Sequence, residues 1–103
     1  MSFNIPPWIP ITNCTDLKYL GKLNEELSEL QKVISRIIIQ GMDGVDPANN
    51  AINRAEFEKE IADVYAHLNC NIKHFYLMID NDRIIKKIKL QKQWVDNLPI
   101  PKD

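Results

Sequence analysis

Glycine and cysteine are scarce in this sequence. The first scarcity favours long helices, and the second argues against a fold held together by disulfides or by a thiolate metal site. Its 103 residues include three glycines, and the six prolines are confined to the two ends and one loop, so long uninterrupted helices are expected. Cys14 and Cys70 do not form the C-x-x-C spacing of a thiolate metal site. Reduced thiols, rather than a disulfide framework, are the expectation.

The sequence also lacks a large net charge and a long apolar run. With 13 Lys and Arg against 14 Asp and Glu the net charge is −1, which argues against a nucleic-acid polymer as partner. No apolar stretch reaches the length of a membrane span and no signal segment is evident, so we expect a cytoplasmic protein without a membrane partner. The charges are segregated: acids cluster in 25–29 and 56–63, and bases in 83–92.

Apolar residues three and four positions apart predict a first long amphipathic helix. Thr15 or Asp16 is expected to cap it, and it should run to about Gln40 with Gly41 as its stop. Its predicted apolar positions are Leu17, Leu20, Leu23, Leu27, Leu30, Ile34, Ile37 and Ile38.

Two further helices follow a loop at 41–53. Asn53 and Glu56 fit a capping box that would start the second helix at Arg54, and its apolar stripe continues to Ile79. One residue of 80–82 should cap the third helix, which is predicted for 83 to about 95. The whole chain, 1–103, is read as a single all-α domain with an extended proline-rich arm at 1–14 and an extended tail at 96–103.

Two acidic motifs, Glu25-Glu26-Leu27-Ser28-Glu29 and Glu60-Ile61-Ala62-Asp63, have the same phase on the first two helices. Relative to Leu27, Glu26 lies at about −100° and Glu29 at about −160°, and Glu60 and Asp63 take the same angles relative to Ile61. Glu29 and Glu60 are followed four residues later by valine, so the usual stabilising lysine is missing there.

These four carboxylates are expected to converge along one seam when the helices pack. Without a cation they would repel one another and raise each other's pKa. Carboxylate oxygens suit magnesium, or manganese in its place, and magnesium commonly completes its coordination with substrate phosphates. The alternative without a functional role is that these acids form an ordinary solvated helix face.

The pattern E-E-x-x-E followed by E-x-x-D resembles the MazG-like group of all-α nucleoside triphosphate pyrophosphohydrolases. The similarity covers roughly 20–93 and includes LGKLNEELSELQ, EKEIADVYAHL and KLQKQ. It implies an antiparallel helical bundle completed by dimerisation, a MazG-like four-helix bundle, with a dimer or tetramer as the assembly. Short forms of this group are often phage-encoded, which would place the enzyme in the host cytoplasm.

The resemblance also implies residue roles. Magnesium would be held by Glu26, Glu29, Glu60 and Asp63, while Glu25 would ligate indirectly or orient the attacking water, so that Glu25 and Glu29 are the catalytic candidates. The reaction would convert a nucleoside triphosphate, with a purine such as (d)GTP as the preferred guess, to the monophosphate and pyrophosphate.

Substrate contacts beyond the metal are expected from basic and aromatic residues. The basic stripe of the third helix suggests phosphate contacts by Lys86, Lys89 and Lys92. Weaker candidates for the base or ribose are Trp8, Asn69 and Asn71. Two other functions stay open: a dUTP- or dCTP-type pyrophosphatase of the same superfamily, and a non-catalytic helical oligomerisation module.

Overall fold

The computed structural model describes residues 4–99 and contains three helices, α1 (Cys14–Gln40), α2 (Asn53–His74) and α3 (Asn81–Asp96). The described part contains no β-strand, so the all-α prediction is confirmed. None of its helices combines the length and apolar character needed to cross a bilayer. The outermost parts of the predicted arm and tail, 1–3 and 100–103, lie outside the described residues.

The start of α1 differs from the prediction, whereas its end agrees with it. Asn13, not Thr15 or Asp16, is the N-cap: its Oδ1 accepts a hydrogen bond from the Asp16 amide at 3.0 Å. Gly41 ends the helix with φ 85°, a left-handed value that glycine adopts readily, and its N–H donates to Ile37 O at 2.7 Å.

A compact loop joins α1 to α2, and Asn53 has a different task from the one expected. The side chain of Asn53 does not cap α2; its Nδ2 donates to Gln40 Oε1 at 3.1 Å and to Gly41 O at 3.0 Å. Asn53 is fully buried and is itself the first residue of α2. The capping-box prediction is therefore wrong, because the amide is needed to close the loop.

The second helix ends at His74, before the end of its apolar stripe. Tyr76 has φ 52°, and Leu77 N–H donates to Ile72 O at 2.9 Å, a left-handed helix ending that excludes Ile79 from α2. The predicted cap of the third helix is confirmed: Asp80 Oδ1 accepts from the Arg83 amide at 3.0 Å.

The helices α1 and α2 form an antiparallel hairpin. The bond from Asn53 to Gln40 closes the loop end, and His74 Nε2 meets Asp16 Oδ1 at 2.7 Å near the opposite end. Among residues 4–99, α3 packs against neither α1 nor α2. The radius of gyration is 18.9 Å, against about 13 Å for a compact chain of this length. The described chain is therefore a hairpin with a detached third helix.

Candidate metal centre

The row of α2 that faces α1 is mostly polar. The buried residues of this helix are Asn53, Glu60, Val64 and Asn71. On the helical wheel this row lies about 80° from Ile61, the centre expected from the apolar pattern. The carboxylates of α2 were expected at the edge of a packed apolar stripe; Glu60 instead lies within the contact between the two helices.

Three carboxylates meet in this contact and form what we call the carboxylate seam: Glu26 of α1 with Glu60 and Asp63 of α2. One oxygen from each lies within 4.8 Å of the others. Glu60 is only 8% exposed, and its Oε2 is buried without a hydrogen-bond partner in the described part of the chain. A buried carboxylate oxygen with no donor is costly unless a proton or a cation satisfies it.

The surroundings of Glu60 disfavour its charged form. Burial raises the pKa of Glu60 above its ordinary value, and the negative charge of Asp63 adds to the effect. Smaller contributions in the same direction come from Glu26 and Glu29, and Lys59 opposes them. A divalent cation in the seam would reverse this balance, because it favours the ionised carboxylates.

The two remaining acids of the first motif lie at the rim of the seam. Glu29 is half exposed and pairs with Lys32 at 3.3 Å, while the more exposed Glu25 pairs with Lys22 at 3.4 Å. Lys22 also lies 3.4 Å from Glu26. These acids therefore form ion pairs although Glu29 has no lysine four residues later. Lys32 lies three residues after Glu29, and Lys22 lies on the turn that precedes Glu25 and Glu26.

Lys22 is a residue of this site that the acidic motifs did not indicate. Lys18, Tyr19, Lys22, His67 and Cys70 line an open hollow of about 210 Å³ beside the carboxylate seam. The hydrogen bond to Glu25, with the charges of Glu25 and Glu26, raises the pKa of Lys22. The sequence contained a signal for this residue, since Lys22 precedes Glu26 by one helical turn.

The expected phosphate lysines are not brought to the carboxylate seam within one chain. Lys86, Lys89 and Lys92 are exposed on α3, which packs on neither helix of the hairpin, and Lys92 pairs with Asp96 at 2.9 Å. The weak base or ribose candidates are also dispersed. Trp8 is 89% exposed and Asn69 is exposed, whereas the buried Asn71 donates to Tyr19 O at 3.1 Å and ties α2 to α1.

Below the carboxylate seam, an aromatic contact fixes the open end of the hairpin. The ring of His74 stacks on Tyr19 with centroids 4.0 Å apart and meets Phe75 edge-on at 4.7 Å. With the contact between His74 and Asp16, this packing sets the register in which Glu26 opposes Glu60 and Asp63.

Comparison of the chain with protein-family models, with curated proteins and with solved structures gives no match. The geometry of the carboxylate seam and the motif resemblance are therefore the two features that bear on function.

Proposed function

We propose that the protein is a magnesium-dependent nucleoside triphosphate pyrophosphohydrolase of the MazG-like type, acting as a homo-oligomer in the cytoplasm. The observation that carries the proposal is the carboxylate seam, in which Glu60 is grouped with Glu26 and Asp63 and its buried Oε2 has no hydrogen-bond partner among residues 4–99. On a solvated acidic face every carboxylate is hydrated, whereas in this seam one carboxylate oxygen of Glu60 is out of water and needs a proton or a cation.

The donor set fits a hard divalent cation. Glu26, Glu60 and Asp63 offer three carboxylates from two helices, and Glu29 is the nearest additional acid at the rim. Bound magnesium would neutralise triphosphate charge and lower the pKa of a water molecule. With three protein ligands, coordination positions remain for phosphate oxygens and water.

The surrounding residues have distinct tasks in this proposal. Glu25, the most exposed acid of the motif, would orient water toward the α-phosphorus, with Glu29 beside it as the second catalytic acid. Water forms a new bond to the α-phosphorus as the bond to the bridging oxygen of the β-phosphate breaks. The products are a nucleoside monophosphate and pyrophosphate.

The hollow beside the seam supports a phosphorylated ligand. Lys18 and Lys22 supply positive charge there, and Tyr19 supplies an aromatic surface. On α1, Lys22 precedes Glu26 by about 6 Å along the helix axis and Lys18 by about 12 Å, so the hollow approaches the seam without any contribution from α3. Lys86, Lys89 and Lys92 stay candidates for phosphate contacts from another chain.

The test is release of pyrophosphate from a panel of ribo- and deoxynucleoside triphosphates, with magnesium or with manganese. We expect activity on at least one substrate, with a purine such as dGTP as the first choice, and a loss of at least about 100-fold in Glu60→Gln, because removing a ligand should exceed the 10- to 100-fold loss typical of outer contacts. Glu58→Gln removes the same charge from an exposed position of α2 and should keep full activity.

The panel also separates the alternatives. Activity confined to dUTP or dCTP would assign the pyrimidine-specific function. If the wild-type protein released pyrophosphate from no triphosphate, and calorimetry detected no magnesium binding, the enzyme proposal would be wrong and the oligomerisation module would remain.

A further inference from the structure

Helix α3 is amphipathic, but it packs against no other helix within residues 4–99. Every residue from Asn81 to Asp96 is exposed, including Ile84, Ile88 and Val95, which share one face within about 40°. On the helical wheel, Lys87 and Lys92 flank this face: Lys87 lies about 80° from its centre on one side, and Lys92 about 60° from its centre on the other. A helix of this length with an open apolar face is marginal in water unless something covers it.

The hairpin has an apolar face of its own that is also partly uncovered. Leu17, Leu20, Leu27 and Ile34 form a stripe on α1, which we call the outer α1 stripe, and each is between 38% and 49% exposed. The stripe borders an open hollow of about 420 Å³. It lies on a different side of α1 from Val33, which packs in the hairpin.

The charges of the two parts are complementary. Residues 14–74, which form the hairpin, contain seven Lys and Arg and ten Asp and Glu, a net charge of −3. Residues 81–96, which form α3, contain five and two, a net charge of +3. Opposite net charges favour the approach of a basic helix to the hairpin and disfavour pairing of α3 with another α3.

The exposed surface is much larger than that of a compact monomer. The solvent-accessible surface is 9344 Å². A compact monomer of 12.0 kDa exposes about 6,000 Å², so each chain exposes about 3,300 Å² more than a compact monomer. Two chains together carry an excess of about 6,600 Å², more than enough for the interfaces of about 2,000–5,000 Å² and above, counted over both partners, that obligate homodimers bury. A second copy of this chain, with the same two uncovered faces, would cover them reciprocally.

The linker directs α3 away from its own hairpin. Hydrogen bonds from the amides of Phe75 and Leu77 fix the end of α2, and Asp80 caps the start of α3. Only Met78 and Ile79 lie between these two fixed points.

We infer that α3 is exchanged between two copies, with the apolar face of each α3 packed on the outer α1 stripe of the partner. Lys87 and Lys92 then lie along the border of the acidic hairpin of the other chain. The exchange completes the core that each chain lacks, and it does not depend on the proposed enzyme activity.

The test is methyl NMR on the full-length protein in a mixed sample. One half of the chains carries ¹³C at isoleucine δ1 methyls and the other half at leucine methyls, and the halves are mixed after unfolding and refolded together. Exchange predicts cross-peaks from Ile84 and Ile88 to Leu20 and Leu27 in the mixed sample. Cross-peaks that appear only when both labels are in one chain would show α3 folding back and would overturn the inference.

Sedimentation of two matched variants provides a second test. Ile88→Glu places a charge on the apolar face of α3 and should shift the protein to a monomer. Gln93→Glu makes a similar change about 140° away and should leave the dimer intact. Helicity measured by circular dichroism separates dissociation from unfolding. A wild-type chain that sediments as a monomer, whether α3 is free or binds anionic lipid vesicles, would contradict the exchange.

Discussion

At the scale of single residues, Glu60 occupies a position that is unfavourable for a carboxylate in the absence of a cation. It is buried, one of its oxygens lacks a donor, and Asp63 and Glu26 share the same small space. A side chain needed only for folding would be better replaced by a neutral one at this position. Glu60 is therefore predicted to lower the free energy of unfolding when no metal is bound, and measuring this effect tests the site.

In EDTA, Glu60→Gln should be more stable than the wild type at neutral pH. Since the folded-state pKa of Glu60 is raised, the folded wild-type protein loses stability as pH rises from the ordinary carboxyl value of 4.5 through that higher value. Glutamine does not titrate, so the difference in unfolding free energy should grow with pH over this interval and then level off. Chemical denaturation at pH 4 to 8, with Glu58→Gln as control, measures it; a difference independent of pH would contradict the burial of Glu60.

Magnesium should reverse the order of these two proteins. A ligand that binds only the folded state stabilises it by about 2.7 kcal/mol at a concentration 100 times its dissociation constant. The wild type should gain this stability from magnesium at pH 7.5, and Glu60→Gln should gain much less. Melting curves with increasing magnesium report the gain, and an equal gain in both proteins would place the metal elsewhere.

Asn53 is a second residue whose role is set by burial. Replacing it with alanine removes the hydrogen bonds to Gln40 and Gly41 and leaves a small cavity at the loop end of the hairpin. The expected loss in unfolding free energy is about 1–3 kcal/mol. Asn69→Ala, on the exposed side of α2, should change it by less than about 0.5 kcal/mol. Equal effects of the two substitutions in urea denaturation would refute this role for Asn53.

At the scale of helices, periodicity predicted three elements and located them within a few residues. It could not predict which face of each helix is buried in the hairpin. The apolar pattern points to Leu27 and Ile61 as centres, yet Glu26 and Glu60 lie in the contact because two helices cannot cover all of their apolar surface. The acidic pairs could be recognised by their shared phase, whereas the hollow beside them required the antiparallel register set by Asp16 and His74.

The loop between α1 and α2 requires glycine at position 44, because there is no room there for a side chain. A Cβ on Gly44 would lie 2.7 Å from Gln40 O and 2.8 Å from Gln40 Cβ, and backbone cannot move aside cheaply. Gly44→Ala should therefore lower the unfolding free energy, by about 1–3 kcal/mol as for other overpacked sites. Gly21→Ala is the control, because a Cβ there meets no atom within 4 Å and alanine favours the helix. Thermal melts that rank Gly44→Ala at or above the wild type would refute the close contact.

At the scale of the whole molecule, Val33 and Val64 are the only apolar side chains among residues 4–99 that are buried, at 5% and 8% exposure. Two valines cannot offset the conformational entropy of ordering a chain of this length. We therefore expect association to supply part of the folding free energy. The sequence predicted such an assembly from its unsatisfied apolar stripes, but not that α3 would stand apart from the hairpin, since a pattern of apolar residues does not identify the chain that covers them.

If folding and association are coupled in this way, the unfolding midpoint must depend on chain concentration. The wild type should melt several degrees higher at 200 µM than at 2 µM, because dilution favours the unfolded chains over the assembly. Ile88→Glu should melt lower and with little dependence on concentration, while Gln93→Glu should behave like the wild type. Circular dichroism at 222 nm, with path lengths matched to the two concentrations, provides the measurement. A wild-type midpoint that is the same at both concentrations would mean that the hairpin is stable without a partner, despite its exposed leucines.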